Sequence, residues 1–144
     1  NTNLTGADLT DAELAGSGSL QLIGCPDLLP TDWNCRHNSL FGPTAHFGYT
    51  DLVGFDLSDI NLTYIFMMGA DLTGADLSDS DLTGADLSFA DLSNVDLQNA
   101  DLSNANLYGA DLTDAELTNV YWYDTTCPDG SNSDENGFTC VNNL

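Results

Sequence analysis

The chain has almost no basic side chains. Its 144 residues contain no lysine and a single arginine, Arg36, against 23 acidic residues, which gives a formal net charge of −22 at pH 7. Proteins that bind nucleic acid neutralise phosphates with Lys and Arg. Direct binding to nucleic acid is therefore excluded, and so is attraction to anionic membranes.

Recognisable catalytic and membrane-spanning motifs are also absent from the sequence. The two histidines, His37 and His46, have no nucleophile partner in any known motif context, and no glycine-rich phosphate loop occurs. No apolar stretch is long enough to insert into a membrane. The many acidic pairs arise from a repeat that points them into water, whereas general acid–base catalysis needs a cleft and a shifted pKa. We therefore expect no enzyme.

A five-residue repeat dominates the chain instead. Between residues 70 and 117 a leucine recurs at every fifth position through ten pentads, such as Ala-Asp-Leu-Thr-Gly. A helix would spread these leucines around its cylinder, and a strand would alternate them between two faces. The period fits neither element, so each pentad is predicted to be one piece of backbone path that ends in a turn. Stacked coils of such pieces form a solenoid.

The pattern of Ala, then Asp or Asn, then Leu or Phe, then two variable residues resembles the pentapeptide-repeat family. The resemblance implies an all-β fold, a right-handed quadrilateral β-helix with one pentad per side and roughly twenty residues per coil. In that fold the central Leu and the Ala two residues before it point inward, and the other three point outward. The run in phase extends from Phe47 to Trp122 and contains sixteen central positions, enough for four coils.

This run and the remaining segments are predicted to form one domain, residues 1–144. The segment from Trp33 to Phe41, with turn-prone His37-Asn38 at its centre, predicts a short hairpin. The insert resembles that of secreted bacterial members of the family, and we expect a lid that hides Trp33, Leu28 and Leu40 from water. The predicted parts are a first partial coil (1–16), an insert (17–44), four coils (45–124) and a disulfide-stapled C-terminal cap (125–144).

Four cysteines lie outside the strict repeats, and three pairings are formally open. Pairing of Cys25 with Cys35 and of Cys127 with Cys140 is preferred, because each bond would staple a local irregular segment. Disulfides are favoured over zinc because the intervals match no CxxC pattern and only two histidines are present. The disulfides predict an extracellular or cell-surface protein. The chain starts at Asn1 already in repeat register, which suggests a processed N-terminus and points the same way.

The C-terminal tail contains half of a calcium-loop motif. Residues 132–137, Asn-Ser-Asp-Glu-Asn-Gly, place oxygen ligands at alternate positions before a glycine turn. The ligands would be Asn132, Asp134 and Asn136, with Asp129. The twelfth position of such a loop is Asn143 instead of Glu, and turns of this composition also form without metal. Calcium or another divalent cation therefore stays one of two alternatives, and no other cofactor is predicted.

One side of the predicted solenoid, centred on Phe47, Met67, Leu87 and Leu107, should carry a single acidic residue. Its outward residues form an apolar stripe that predicts an interface: Tyr49, Tyr64, Phe66, Met68, Phe89 and Tyr108. The partner would be a second copy of the chain, in a dimer or a filament. In the alternative, the insert folds down and covers part of the stripe.

Two neighbouring sides should instead carry acidic columns, twenty residues apart: Asp51, Asp71, Asp91 and Asp111, and then Asp56, Asp76, Asp96 and Glu116. A solvated surface that maintains solubility is the simpler interpretation. The family also includes cytoplasmic DNA mimics that bind DNA gyrase through an acidic rod. We therefore predict a secreted, non-catalytic structural or interaction solenoid that self-associates, with a gyrase-binding DNA mimic as the alternative.

Overall fold

The computed structural model describes residues 2–17 and 22–141. Parallel bridges join the residue before each central position to the residue twenty further on, as in the column from Asp51 through Asp71 and Asp91 to Asp111. One coil therefore contains twenty residues and four pentads, and the fold is the predicted right-handed quadrilateral β-helix. We number the coils 1 (45–64), 2 (65–84), 3 (85–104) and 4 (105–124).

The four sides are named by the central residues that point into the core. Side A carries Phe47, Met67, Leu87 and Leu107; side B carries Leu52, Leu72, Leu92 and Leu112; side C carries Leu57, Leu77, Leu97 and Leu117; side D carries Leu62, Leu82, Leu102 and Trp122.

A leucine column fills the core, and a backbone ladder joins the coils around it. The central leucines from Leu52 to Leu107 are fully buried. Each side of a coil forms three backbone hydrogen bonds with the same side of the next coil. On side B, Leu72 N donates to Asp91 O (2.8 Å), Gly74 N donates to Ser93 O (2.9 Å), and Asp91 N donates to Ala70 O (2.9 Å). Burial of each leucine contributes roughly 1.5–3 kcal/mol.

Every corner of the four coils is made by a residue in the left-handed region. All sixteen corner positions from Tyr49 to Asp124 have a positive φ, between 51° and 70°. Five of them are glycine, eight are Asn or Asp, and three are the aromatic residues Tyr49, Tyr64 and Phe89. Asn and Asp adopt this conformation more readily than other side chains. The three aromatic corners are therefore the unusual ones.

The insert forms the predicted hairpin. Strands β1 (Asn34–Arg36) and β2 (Ser39–Phe41) are antiparallel, and both residues of the turn between them have positive φ. The hairpin lies on the end of coil 1, where the Phe41 ring stacks on Phe47 with centroids 4.5 Å apart.

The burial predicted for the insert is only partly correct. Leu40 is buried and Trp33 is half-buried against the core, but Leu28 is 53% exposed. The prediction for Leu28 is wrong because its backbone bridges to Asp8 in parallel register, and this register places Leu28 at an outward-facing position of the coil path.

The leading pentads, residues 2–16, lie beyond the insert and occupy sides B, C and D. Asn3 and Asp8 bridge to Gly24 and Leu28 of the insert. Gly16 N donates to Thr44 O (3.2 Å), and Thr44 N donates in turn to Thr63 O (2.9 Å) at the end of side D. The leading leucines, Leu4, Leu9 and Leu14, are only half-buried, because none of the described residues covers their outer side.

The repeat path continues one pentad further than the sequence pattern indicates. Thr126 bridges to Asn106 on side A, and Cys127 is fully buried at the central position that leucine occupies in earlier coils. The tail then forms a 3₁₀ helix, Ser133–Asn136. Both predicted disulfides are confirmed, with Cα–Cα distances of 5.9 Å for Cys25–Cys35 and 5.3 Å for Cys127–Cys140.

Candidate interaction surfaces

The aromatic stripe on side A is open to solvent. Tyr49 is 72% exposed, Phe89 58% and Tyr108 49%, and Tyr64 at the preceding corner is 65% exposed. Phe66 is half-buried, as is Met68. The described part of the insert, residues 22–44, lies on the end of coil 1, and the four rings Tyr49, Tyr64, Phe89 and Tyr108 are exposed.

Three stripe rings each lie against a glycine in the next coil, twenty residues further on. A Cβ atom added to Gly69 would come within 2.6 Å of the Tyr49 ring. A Cβ atom on Gly84 would lie 2.5 Å from the Tyr64 ring, and one on Gly109 would lie 2.7 Å from the Phe89 ring. An aromatic corner thus requires a glycine corner beside it, and the pairing holds the ring against the backbone. Sequence reasoning missed this rule, although an aromatic residue followed by glycine twenty positions later is a readable signal.

Further ring contacts join the coils along side A. His46 packs against Phe66 with centroids 5.4 Å apart, and Phe89 meets Tyr108 edge-on, also at 5.4 Å. Asp86 is the single acidic residue at the outward positions of this side in coils 1–4, and its Oδ1 accepts from the Ser88 hydroxyl at 2.6 Å. Side A is therefore an ordered aromatic surface with little charge.

The carboxylates of sides B and C hold the turns of their own pentads. Asp71 Oδ1 accepts from the Thr73 backbone N–H at 3.1 Å and from its hydroxyl at 2.7 Å. The Thr73 hydroxyl, and then the backbone N–H, holds the pKa of Asp71 below its usual value. The corresponding Ser or Thr lowers the pKa of Asp56 and of Asp111 in the same way. The side chains of the acidic columns thus form the turns of their own pentads, a role that the interpretation as a solvated surface missed.

At the N-terminal end of side C, two hairpin side chains replace backbone partners. His37 Nε2 accepts from Asp56 N–H at 3.1 Å, whereas the equivalent Asp76 N–H donates to a carbonyl oxygen, Phe55 O. Arg36 donates to Asp56 Oδ2 at 2.9 Å and to Ser58 O at 3.3 Å. The chain's one arginine therefore donates hydrogen bonds to acceptors at the edge of coil 1, which has no regular coil beside it.

Comparison with known proteins agrees with this geometry. Eight copies of a model of pentapeptide repeats match residues 45–79, 68–99 and 85–121, which together span more than half of the chain. The chain belongs to the pentapeptide repeat family. Proteins of this family are generally structural rather than enzymatic. A comparison with curated proteins found no match.

Several solved structures of pentapeptide repeat proteins are similar to the chain. One from Nostoc Pcc 7120 is 37% identical, with a TM-score of 0.43, over 58% of this chain and 68% of that one. Another, from the Arabidopsis thaliana thylakoid lumen, is 31% identical, with a TM-score of 0.33, over 56% and 63%. HetL, involved in heterocyst differentiation regulation in Nostoc sp. strain PCC 7120, is 33% identical, with a TM-score of 0.29, over 62% and 52%.

In this pentapeptide repeat protein, the side chains considered for calcium make hydrogen bonds within the tail. Asn132 Oδ1 accepts from Asp134 N–H at 2.8 Å and caps the 3₁₀ helix, and Asp134 Oδ1 accepts from Asp124 N–H at 2.9 Å. The Asn136 amide donates to Ser131 Oγ at 2.7 Å, and Asp129 Oδ1 accepts from the Ser131 hydroxyl at 2.6 Å. These bonds fold the loop, and calcium binding stays a prediction.

Within residues 2–17 and 22–141, no group of three or more His, Cys, Asp or Glu side chains is placed to hold a metal ion. In the same ranges, no helix has the length and apolar character needed to cross a bilayer.

A second apolar surface lies at the C-terminal end of side D. A cleft of about 260 Å³ is lined by Val120, Tyr121, Trp122, Tyr123 and Phe138. Tyr121 is 61% and Phe138 65% exposed, whereas Trp122 is buried. The tail therefore shields the last tryptophan of the core but leaves aromatic faces at the end of the solenoid.

Proposed function

We propose that this protein is a non-catalytic scaffold that acts outside the cytoplasm and associates with copies of itself through side A. The observation that carries the proposal is the row of exposed aromatic rings on the side with the fewest acidic residues at its outward positions. Contiguous exposed apolar patches on soluble proteins usually mark contacts, and aromatic residues are enriched at the centres of interfaces. Rings held against glycines also lose little freedom when they are buried by a partner.

The disulfides indicate the compartment. Both bonds are formed and no free cysteine remains, as expected in an oxidising environment, extracellular or periplasmic. Cytosolic thiols are kept reduced, so two structural disulfides would not persist there. The extracellular medium or the cell surface is the finer assignment that we propose.

Electrostatics supports contact through side A over the other sides. Two unit charges at the coil spacing of about 4.8 Å repel by about 0.9 kcal/mol in water. Packing side B or side C of two copies together would add many such pairs, because at their outward positions in coils 1–4 side B carries five acidic residues and side C carries six. Side A carries one acidic residue per copy at these positions. A symmetric lateral dimer that buries the stripe is the arrangement with the least repulsion.

Sedimentation velocity of the wild type and of a Phe89→Asp variant tests the lateral contact. The wild type should sediment as an assembly and Phe89→Asp as a smaller species, because a charge replaces an aromatic ring at the centre of the stripe. The matched control is Asn94→Asp, which adds the same charge at the next corner, also at positive φ and exposed. A wild type that stays monomeric at high concentration, with or without calcium, would refute the proposal.

A DNA mimic that binds DNA gyrase is the second candidate. It is favoured by the acidic columns of sides B and C, where hydrogen bonds hold several carboxylates in their ionised form. Inhibition of supercoiling by purified gyrase at submicromolar protein and physiological salt would support it. Inhibition that disappears when salt is added would indicate nonspecific binding of a polyanion.

A further inference from the structure

Among the residues that the structure describes, none pairs with the C-terminal edge of coil 4 on sides B and C. In earlier coils, the central and corner residues of each pentad donate N–H groups to the next coil, as Leu92 does to Asp111 O and Asn94 to Thr113 O. The equivalent donors of coil 4 have no hydrogen-bond partner in residues 2–17 and 22–141; they are Leu112, Asp114, Leu117 and Asn119. The edge therefore presents a ready-made template for another β-coil.

The opposite end of the molecule presents the complementary groups on the same two sides. In the leading pentads, the carbonyl oxygens of Asn3 and Thr5 on side B, and of Asp8 and Thr10 on side C, accept no hydrogen bond from any residue that the structure describes. The N–H groups of Asn3 and Asp8 are also unpaired within that part of the chain. These are the groups through which each regular coil pairs with the coil before it.

We propose that copies of this chain stack head to tail, with the leading pentads of one copy pairing with coil 4 of the next. The inference rests on the self-association proposed above, but it names a different surface, the two coil edges. On side B, Leu112 N–H would donate to Asn3 O, Asp114 N–H to Thr5 O, and Asn3 N–H to Ala110 O. Side C repeats this pattern with its own residues. The junction reproduces the ladder that joins every pair of regular coils.

Core packing favours the same junction. Leu4 and Leu9 are half-buried at the head, and Ala115 and Leu117 are half-buried at the tail, whereas their counterparts inside the stack are fully covered. Stacking would bring sides B and C of the two ends into contact and remove this apolar surface from water.

Repulsion between like charges at the junction is no greater than the repulsion between adjacent regular coils. Between regular coils, sides B and C each bring two acidic residues together, as at Asp91 and Asp111. At the junction, side B would place Asn3 beside Asp111, and side C would place Asp8 beside Glu116. One like-charge pair therefore replaces two. Because the contact is heterologous and does not close, it builds a filament.

Two variants test the junction by blocking one end each. Ala7 is half-buried at an inward-facing position of the leading pentads, so Ala7→Lys would place a charged side chain across the head. Ala115→Lys would do the same at the tail. The control Ala15→Lys adds an identical charge at an exposed, outward-facing position of the leading pentads. All are made in the Phe89→Asp background, which removes the lateral contact, and are measured in about 1 M salt, where the Debye length is about 3 Å.

Light scattering after size exclusion, with electron microscopy of the same samples, gives the readout. Phe89→Asp and its Ala15→Lys derivative should form rods. The head-blocked and the tail-blocked chains should each be monomeric with a retained cooperative melt. Mixed in equal amounts, they should form dimers of twice the mass that do not grow further, because one supplies an intact tail and the other an intact head.

Other outcomes overturn the inference. A head-blocked or tail-blocked chain that dimerises alone would indicate a symmetric end contact instead. A mixture of folded variants that stays monomeric would exclude the head-to-tail junction. Rods in the Phe89→Asp background without lateral pairing in the wild type would refute the side A proposal and retain this one, so the two proposals fail separately.

Discussion

The regular coils and the two ends of the solenoid are stabilised in different ways. Coils 1–4 contain no disulfide, and their cohesion comes from a buried leucine column and a repeated backbone ladder. The insert and the tail each contain one disulfide, and there side chains carry hydrogen bonds that backbone carries elsewhere, as Arg36 and His37 do for Asp56 and Ser58. Backbone repetition suffices wherever a neighbouring coil exists, and an end needs specific side chains and covalent links.

The largest expected effect separates the interior of the stack from its end. Leu82→Ala, at a fully buried position of coil 2, should reduce the free energy of unfolding by roughly 3–5 kcal/mol, because a closely packed column leaves a cavity. Leu117→Ala, at half-buried Leu117 in coil 4, should cost clearly less. Urea denaturation measures both changes. Equal losses would show that the end is as tightly packed as the interior.

A second prediction concerns the hairpin and uses a property of the sequence. Trypsin can cleave this chain only after Arg36, because the sequence contains no other Lys or Arg. Replacing Cys25 and Cys35 by alanine should raise the initial cleavage rate roughly ten- to a hundredfold, since loss of a short disulfide-closed loop makes hairpin opening easier by about 1.4–2.8 kcal/mol.

The matched control for the hairpin prediction is the tail disulfide. Replacing Cys127 and Cys140 by alanine should leave cleavage after Arg36 unchanged, because the tail lies at the other end of the stack. A hairpin variant that is cleaved as slowly as wild type would show that Arg36, His37 and the Phe41 contact hold the hairpin without the covalent link.

The smallest expected effect lies within the regular coils. Thr73→Val removes the hydroxyl that lowers the pKa of Asp71, so that pKa should rise toward its ordinary value of about 3.9. A carboxyl with a lowered folded-state pKa stabilises the fold above its unfolded-state pKa, and this contribution is lost as pH falls through the folded-state value. The stability cost of Thr73→Val should therefore be present at neutral pH and fade in acid.

Carboxyl NMR titration of Asp71 and thermal melts across the acid range measure this effect. The control is Thr63→Val, because the Thr63 hydroxyl donates to the amide oxygen of Asn61 at 2.8 Å, in the same turn geometry but without a titrating group. The loss of stability caused by Thr63→Val should be independent of pH. A pH-dependent cost at Thr63 as well would show that the effect comes from the charge of the whole rod.

The aromatic stripe was predictable and its construction was not. Reading residues in phase placed Tyr49, Phe89 and Tyr108 on one side of the solenoid, and the structure leaves all three exposed there. The pairing of Tyr49 with Gly69 spans a full coil. It depends on how adjacent coils approach each other, and the five-residue pattern does not describe that distance.

The five-residue period of the sequence by itself determined that the chain is a solenoid, and the twenty-residue coil with inward leucines followed from the resemblance to the pentapeptide-repeat family. The hairpin and the preferred disulfide pairs could be predicted because they depend on short separations along the chain. Only the tertiary structure decided where the ends of the stack lie. Cys127 lies in phase, five residues after Trp122, but its pentad lacks the Ala-Asp-Leu pattern, and only the bridge from Thr126 to Asn106 shows that the coil path continues there. Leu28 is exposed because its backbone bridges to Asp8. Both outcomes rest on backbone contacts of segments that lack the Ala-Asp-Leu pattern, and that pattern does not specify such contacts.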